Sequence, residues 1–242
     1  DDEIFAHNSS ILPENDYRKL GETWSTPRII KLKIGGVDGN TVEFWLKKDA
    51  FVENQDYLEF IVDAHVTGTN YGDENYGRLQ VALATTGTTG NSSNKAIHVH
   101  YASGSSRIST YLGSSTLTTA SIADGNWHHY AITLRSDSDA NKTSVKMYVD
   151  GNINDIKTFT GTVGSINRSL VATIGALAAA KSTTAGATDP SYLTNRNLGF
   201  GKLSGSLDEF RYWKEERSSR DIGTNWFTQV NGGTNTIHGQ ST

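Results

Sequence analysis

Oxygen-bearing and aromatic side chains are concentrated in one stretch of the chain, 67–77, which reads TGTNYGDENYG. Aromatic rings stack on the apolar faces of sugars, and amides or carboxylates bridge paired hydroxyls. The stretch is therefore a candidate site for a hydroxyl-rich ligand such as a carbohydrate. Its candidate ligand-binding residues are Asn70, Tyr71, Asp73, Asn75 and Tyr76. The alternative interpretation is a solvated, turn-rich loop, since Gly, Asn and Asp clusters favour turns.

Two further aspartates are candidate metal ligands. Asp63 precedes the loop on a predicted strand and, with Asp73, offers oxygen ligands of the kind that calcium prefers. By strand alternation Asp208 shares a face with Phe210 and Tyr212, so it is predicted to point inward. A carboxylate there must be ion-paired, hydrogen-bonded or bound to a metal. The alternative is an aspartate that caps nearby backbone N–H groups.

The histidines and tryptophans favour structural roles. His98 and His100 lie on one face of a predicted strand, but no third zinc ligand is identifiable. His128 and His129 alternate across a strand and cannot bind one ion together. The tryptophans are expected in the core or packed on sheet faces, although an exposed Trp45 would support sugar stacking. These tryptophans are Trp45, Trp127, Trp213 and Trp226.

An enzyme is not expected. Retaining glycosidases hold two carboxylates about 5 Å apart, whereas Asp208 and Glu209 are adjacent and are predicted to point to opposite faces. The chain has neither a Gly-x-Ser-x-Gly elbow nor a phosphate-binding glycine loop. With no cysteine it has no thiolate chemistry. The net charge of −4 does not favour nucleic acid, and no stretch approaches the roughly 20 apolar residues that insert into a membrane.

A central hairpin organises the predicted structure. Residues 127–134 and 145–150 alternate apolar and polar side chains with the period of strands that bury one face. The polar run 136–143 is predicted to connect them, and Asp150-Gly151 suits a tight turn with positive φ. The chain therefore reads as all-β, and 242 residues suit one large domain.

The hairpin sequences WHHYAITL and SVKMYVDG resemble the signature of the laminin-G-like, concanavalin A-like lectin/glucanase superfamily. TVEFWLKKD at 41–49 and GKLSGSLDEFRYWKEERSSRDI at 201–222 are similar to its early and closing strands. The resemblance implies a jelly-roll sandwich of two antiparallel sheets with one short C-terminal helix. In related glucanases an aspartate at the place of Asp208 holds a structural calcium with backbone carbonyls. The resemblance implies no single function.

Several boundaries follow from this interpretation. A first strand near 3–7 is expected beside the closing strand, and another strand is predicted at 28–34. A helix is predicted from Ser218 to about 229 by its capping-box pattern. Residues 1–230 are expected to form the domain and 231–242 a polar tail or linker. The small-residue insertion at 175–200 is unusually long for a compact domain.

The leading hypothesis is a non-catalytic adhesion module of an extracellular or virion-surface protein that binds glycans or glycoproteins, with calcium as a possible cofactor. Binding would use loop 67–77, with 85–94 and 178–197 as further candidates. The alternative is a structural or oligomerisation module whose loops meet other chains of a larger assembly, such as a phage tail fibre. The sequence is expected to be part of a longer protein, because it does not begin with Met.

Overall fold

A computed structural model describes residues 4–6 (backbone), 36–51, 58–67, 69, 73–84, 95–166, 168, 170–177 and 201–228. The predicted strand 28–34, the loop segments 85–94 and 178–197, and the tail 231–242 lie outside the described residues. The domain boundary at 230 accordingly stays a prediction.

The described residues form strands and two short helices, in agreement with the all-β prediction. The strands are β1 (Ile4–Ala6), β2 (Asn40–Lys47), β3 (Leu58–Val66), β4 (Gly77–Ala84), β5 (Ile97–Ser103), β6 (Ser106–Leu112), β7 (Trp127–Asp137), β8 (Lys142–Val149), β9 (Asn152–Thr160), β10 (Leu170–Ile174) and β11 (Ser206–Trp213). The helices are α1 (Thr119–Ile122) and α2 (Ser219–Asn225). No helix in these ranges is long and apolar enough to cross a membrane.

Two antiparallel sheets form the predicted sandwich. One sheet has six strands in the order β1-β11-β2-β7-β8-β9, and the other has five in the order β10-β3-β4-β5-β6. β1 pairs with β11, with Ile4 opposite Tyr212, so the predicted placement of the first strand beside the closing strand is confirmed. Neighbours such as β11 and β2 lie far apart in sequence, which is the jelly-roll pattern.

The core lies between the two sheets and follows from period-two alternation. On β2, Val42, Phe44 and Leu46 are buried against the other sheet, and the ring of Phe44 stacks on that of Tyr130 at 5.6 Å. From the five-stranded sheet, strands β4 and β5 contribute Leu79, Val81, Leu83, Ile97, Val99 and Tyr101. Every residue of β4 is buried, so this sheet is covered on its outer face as well.

The central hairpin is confirmed, with its strands longer than predicted. β7 extends to Asp137 and β8 begins at Lys142, so the connecting loop shrinks to four residues, 138–141. At the far end of β8, Asp150 and Gly151 have φ of 47° and 76°, as the predicted Asp-Gly turn requires.

The sequence predicted one helix, and the structure adds a second, α1. Its four residues precede the turn that enters β7. Thr118 caps α1 by accepting a hydrogen bond from the Ser121 amide, while the Ser121 hydroxyl accepts one from the Thr118 amide. The predicted C-terminal helix begins as expected after the cap Ser218, but it ends at Asn225 rather than near 229.

A β-bulge in β11 overturns the predicted orientation of Asp208. The register with β2 shifts between Asp208 and Arg211, and Glu209 lies in the bulge with φ of 48°. One extra residue reverses the alternation. Phe210 and Tyr212 therefore point into the core, whereas Asp208 is exposed on the outer face of the six-stranded sheet.

Candidate functional site

The predicted ligand loop 67–77 is partly described, from Asp73 onward and at 67 and 69. Its last part is a turn in which the Tyr76 amide donates to the Asp73 carbonyl at 2.9 Å. Tyr76 is buried, so its ring is not presented to a ligand. Asn75 is exposed, but its amide oxygen accepts two hydrogen bonds from Arg168, at 2.9 and 2.6 Å. Asp73 is exposed, and Asn70 and Tyr71 lie outside the described residues.

Two of the three predicted calcium ligands, Asp63 and Asp208, accept hydrogen bonds from groups of the protein. Asp63 is buried in β3, and both its carboxylate oxygens accept hydrogen bonds from Arg78, at 2.9 and 2.8 Å. That guanidinium supplies the positive charge a cation would bring. Asp208 lies on the other sheet and accepts a hydrogen bond from the Glu209 amide at 2.8 Å, as the capping alternative predicts. Among the described residues, no three His, Cys, Asp or Glu side chains are placed to hold a metal.

His98 and His100 are structural groups in β5. Burial lowers the pKa of His98 to about 3, and its Nε2 lies 2.9 Å from the Ser109 hydroxyl. Burial also lowers the pKa of His100 well below its usual value, with the charges of His98, Arg78 and Arg107 adding to the effect. Both imidazoles are therefore neutral at physiological pH.

An exposed tryptophan marks a different region, where β7 begins. Trp127 is the first residue of β7 and lies opposite Lys47, the last residue of β2. Its side chain is 42% exposed, so it is not in the core and lies instead on the sheet face, the other placement expected for the tryptophans. We call its surroundings the Trp127 rim. The rim comprises Asp124, Asn126, Trp127, His128 and Asp150.

Hydrogen bonds hold the polar residues of the Trp127 rim in place. The backbone amide of Asn126 donates to Asp124 Oδ1 at 2.8 Å, and its side-chain amide donates to Oδ2 at 3.1 Å. His128 lies between two carboxylates, with Nε2 3.1 Å from Asp124 and Nδ1 2.7 Å from Asp150. The other oxygen of Asp150 accepts from the His129 amide at 2.8 Å. The carboxylates of Asp124 and Asp150 are therefore held in fixed orientations at the start of β7.

These contacts set the charges of the Trp127 rim. The pKa of Asp124 falls to about 2, chiefly through the hydrogen bond from the Asn126 amide and further through the Asn126 and His128 side chains. Burial lowers the pKa of His128, but hydrogen bonds and charge from Asp150 and Asp124 outweigh it, so the net shift is upward. The Asp124 carboxylate, in the turn before Trp127, is therefore ionised at neutral pH.

Other aromatic rings cover the sheet next to Trp127. Trp45 lies two residues before Lys47 on the same face of β2, so it is a diagonal neighbour of Trp127. The Trp226 ring, at the end of α2, packs on Trp45 at 5.5 Å and on His129 at 6.2 Å. Asp208 is directly opposite Trp45 on β11. The outer face of the six-stranded sheet therefore carries half-buried tryptophans and an exposed carboxylate beside the rim.

A buried carboxylate under this face holds the segment that leads into α2. Glu43 has no exposed surface, and its Oε1 accepts a hydrogen bond from Arg217 at 2.8 Å. Burial raises the pKa of Glu43, but the hydrogen bonds and charges of His129 and Arg217 outweigh burial, and the pKa is lowered. Because Arg217 immediately precedes the α2 cap, this ion pair positions the helix and hence Trp226.

The Trp127 rim is a site that the sequence did not single out. Alternation placed Trp127 and His129 on one face, but it could not tell that Trp226 covers His129 and leaves Trp127 open. The available signal was the Asp-Gly-Asn turn immediately before the tryptophan, which puts a carboxylate and an amide beside the first residue of a strand.

The whole strand pattern has a counterpart among known protein families. A laminin G-type model described as the concanavalin A-like lectin/glucanases superfamily matches residues 30–223. The chain belongs to this superfamily. The family assignment from the three sequence segments is confirmed. No curated protein matches the chain.

Several solved structures are similar to the chain at low sequence identity. A heptameric SAP-like pentraxin from Limulus polyphemus has 14% identity and a TM-score of 0.48, over 83% of this chain and 77% of that one. The binding domain of botulinum neurotoxin serotype D has 12% identity and a TM-score of 0.45, over 84% and 38%. Domains LG4-5 of the mouse laminin alpha1 chain have 13% identity and a TM-score of 0.44, and the match covers 76% of this chain and 38% of that one. The chain spans less than half of the neurotoxin and laminin chains.

Proposed function

We propose that the domain is a non-catalytic adhesion module that binds carbohydrate at the Trp127 rim. The observation that carries this proposal is the indole of Trp127, which is 42% exposed and directly follows a turn whose carboxylate and amide, Asp124 and Asn126, are fixed by hydrogen bonds. A flat ring beside oriented acceptors is the combination that sugar sites use. Membership of a superfamily described by lectins and glucanases supports the proposal.

The chemistry of the Trp127 rim favours neutral or amino sugars over acidic ones. The carboxylates of Asp124 and Asp150 accept hydrogen bonds, so they suit ligands that donate them from hydroxyl or ammonium groups. Lys47 lies opposite Trp127, and Asp49 is exposed beside Gly125 in the preceding turn. Carboxylates outnumber the fixed cations here, so sialylated and sulfated glycans would meet like charge.

The test is a glycan array that contains neutral, amino, sialylated and sulfated oligosaccharides. Wild-type protein should give reproducible hits confined to neutral and amino sugars. Trp127→Ala should abolish them, and Trp127→Phe, which keeps a flat ring, should retain part of the binding. The control is Val37→Ala, which truncates another exposed apolar residue (59%) just before the start of β2, at the far end of that strand. Hits that survive Trp127→Ala would contradict the proposed location.

The sequence-predicted loop 67–77 is the alternative location for the glycan. Gly77 begins β4, and residue 166 packs against it, so this loop lies at the end of the sandwich away from Trp127. Asp73→Ala should leave binding unchanged if the Trp127 rim is the site. Loss of binding in this variant, with Trp127→Ala unaffected, would restore the loop as the site.

Calcium dependence is a separate part of the proposal. The described carboxylates do not assemble into a metal site, so we derive no step through calcium. The same array, run once with calcium and once with EDTA, tests whether binding depends on calcium. Hits that vanish in EDTA would assign calcium a role and would make Asp73 and Asp208 the first ligands to replace, since both are exposed.

A second candidate function is assembly with other chains, and two exposed edge residues favour it. Ile153 and Ile156 of β9 are 50% and 51% exposed, and β9 is the outermost strand of the six-stranded sheet. An open strand edge with apolar side chains is a template for pairing with another chain. Sedimentation velocity of wild type and of Ile153→Ser/Ile156→Ser tests it. A concentration-dependent oligomer that the double variant abolishes would favour the assembly role.

Both roles fit a domain presented outside a cell or on a virion, and we propose that location. An adhesion module must face its glycan, and a fibre or surface protein must face its neighbouring chains. Detection of the parent protein on intact virions or cells by an antibody against this domain would test it.

A further inference from the structure

His128 makes a pair of contacts that only one protonation state can satisfy. Its Nδ1 lies 2.7 Å from Asp150 Oδ2, and its Nε2 lies 3.1 Å from Asp124 Oδ2. A neutral imidazole carries one N–H and one lone pair, whereas the imidazolium carries two N–H donors. Because carboxylate oxygens face both ring nitrogens, the geometry assigns the imidazolium.

We infer that His128 is a proton-operated clasp that controls the Trp127 rim. As the imidazolium it ties the turn at Asp124 to the turn at Asp150; when it loses the proton, it releases one of them. The consequence for ligand binding rests on the proposed function of the rim.

The turn at Asp124 is the one released. Asp150 is held a second time, since its Oδ1 accepts from the His129 amide at 2.8 Å. A neutral His128 therefore keeps its proton on Nδ1 for Asp150, and the Nε2 lone pair then faces the ionised Asp124. Asp124 is exposed, and the adjoining turn is tied to the residue after β2 by the Gly125 amide, which donates to the Lys48 carbonyl at 3.0 Å. Repulsion moves Asp124, and with it the hydrogen bonds that Asn126, the residue before Trp127, donates to this carboxylate.

The other charged groups near the rim do not replace the clasp. From the β2 side these are Lys47, opposite Trp127, and Asp49, beside Gly125. Lys48 is buried in an ion pair with Glu59 at 2.8 Å. On β7 itself, His129 is buried and lies 3.8 Å from Glu43. Asp124 and Asp150 are the two charges that raise the pKa of His128 above the usual 6.5.

The clasp makes the rim sensitive to pH above 6.5. As the pH rises through the pKa of His128, the Asp124 contact is lost, and the rim loses one charge-assisted hydrogen bond. We expect the affinity for the best neutral oligosaccharide on the array to fall about threefold to tenfold between pH 6 and the alkaline side of the transition. The Asn126 amide and the Trp127 indole should change environment over the same range.

A titration by nuclear magnetic resonance tests the clasp without any ligand. The ring carbon-bound protons of His128, assigned by their disappearance in His128→Gln, should titrate above pH 6.5 in the wild type. Asp124→Asn replaces an acceptor with an amide that donates to the neutral ring, so the pKa of His128 should fall and the pH response of Trp127 should vanish. Asp137→Asn is the matched control, since Asp137 makes a similar turn at the other end of β7 and accepts from the amides of Asp139 and Ala140.

Two results would overturn the clasp. One is a His128 pKa at or below 6.5 in the wild type, or a His128 pKa in Asp124→Asn that equals the wild-type value. The other is a titration of His128 that leaves the Asn126 amide and the Trp127 indole unchanged.

Ligand binding separates this inference from the proposed function. Affinity for the array ligand, measured by calorimetry at both ends of the titration, should depend on pH in the wild type and not in Asp124→Asn. If the array gives no hits but His128 titrates as predicted, the proposed glycan binding is contradicted and the clasp is supported. If binding is independent of pH while His128 titrates normally, the proposal that the rim binds glycan stands, and the inference that His128 regulates this binding is overturned.

Discussion

Trp127 owes its exposure to its position at the start of β7. The next residue on the same face, His129, is covered by the Trp226 ring, whereas Trp127 lies one step closer to the end of the strand. Opposite it stands Lys47 rather than another tryptophan. Two residues along β7, one step on the same face, thus separate a packed ring from an exposed one.

The same residues predict how stability depends on pH. The pKa of His128 is raised, so its contribution to the free energy of unfolding is complete below about 6.5 and is lost as the pH rises through the folded-state value. The pKa of Asp124 is lowered from 3.8 to about 2, so its contribution is present above 3.8 and is lost as the pH falls toward 2. Both contributions are complete in the window between.

Thermal unfolding of wild type and Asp124→Asn from pH 3 to 9 tests this pH dependence of stability. The difference in Tm between the two proteins should be largest in the window between the two transitions and should shrink at both ends. A difference that grows above pH 7 would contradict the assigned protonation of His128.

At the scale of elements, the turn between β8 and β9 is shaped for the ring of Trp226. A Cβ added to Gly151 would lie 2.4 Å from Trp226 Cδ1, and φ of 76° is unfavourable for other residues. The turn, the helix end and the outer face of the sheet are therefore adjusted to one another.

Gly151→Ala should destabilise the fold by more than backbone strain alone, because the ring must move as well. The matched control is Gly161→Ala, where φ is 98° and nothing lies within 4 Å of the added methyl group. Backbone strain costs about 1–2 kcal/mol at either position. We therefore expect Gly151→Ala to lose more free energy of unfolding in urea than the control, and to shift the tryptophan fluorescence. Equal costs would show that the Trp226 contact contributes nothing.

A second element-scale feature is the buried ion pair between the end of β2 and the start of β3. Lys48 donates to both oxygens of Glu59, at 3.0 and 2.8 Å, and to the Ser204 carbonyl at 2.6 Å. Both side chains are almost fully buried. The pair ties both sheets to the segment that leads into β11.

Lys48→Met should lower the free energy of unfolding by about 3–5 kcal/mol, because it leaves the Glu59 charge buried without its partner. Adding Glu59→Leu should recover much of that loss, since an apolar pair can replace a buried ion pair. Lys142→Met, at an exposed position in β8, is the control and should change stability by less than about 0.5 kcal/mol. A double variant as unstable as Lys48→Met alone would contradict this explanation.

These elements show what the sequence could and could not predict. Alternation and the Asp-Gly turn were sufficient for the hairpin, because they depend on local geometry. The orientation of Asp208 was not predictable by parity, since the bulge at Glu209 depends on pairing with β2. The same limit applies to Asp63, whose partner Arg78 comes from the neighbouring strand β4.

For the whole molecule, the family and the sandwich were predictable because ordered motifs recur across the chain. The candidate site was not, because the Trp127 rim combines two turns that are adjacent only after β7 pairs with β8. The predicted loop 67–77 instead uses its Asn75 and Tyr76 for internal packing. The role of Asn70 and Tyr71 stays a prediction.

The location of binding at one end of the sandwich is the central claim. The most direct test is calorimetric titration of the strongest neutral array ligand into wild type, Trp127→Phe and Trp127→Ala at pH 6. The account predicts at least a tenfold loss in Trp127→Ala, equivalent to about 1.4 kcal/mol, a smaller loss in Trp127→Phe, and an unchanged Tm in both. Wild-type affinity in Trp127→Ala would contradict it.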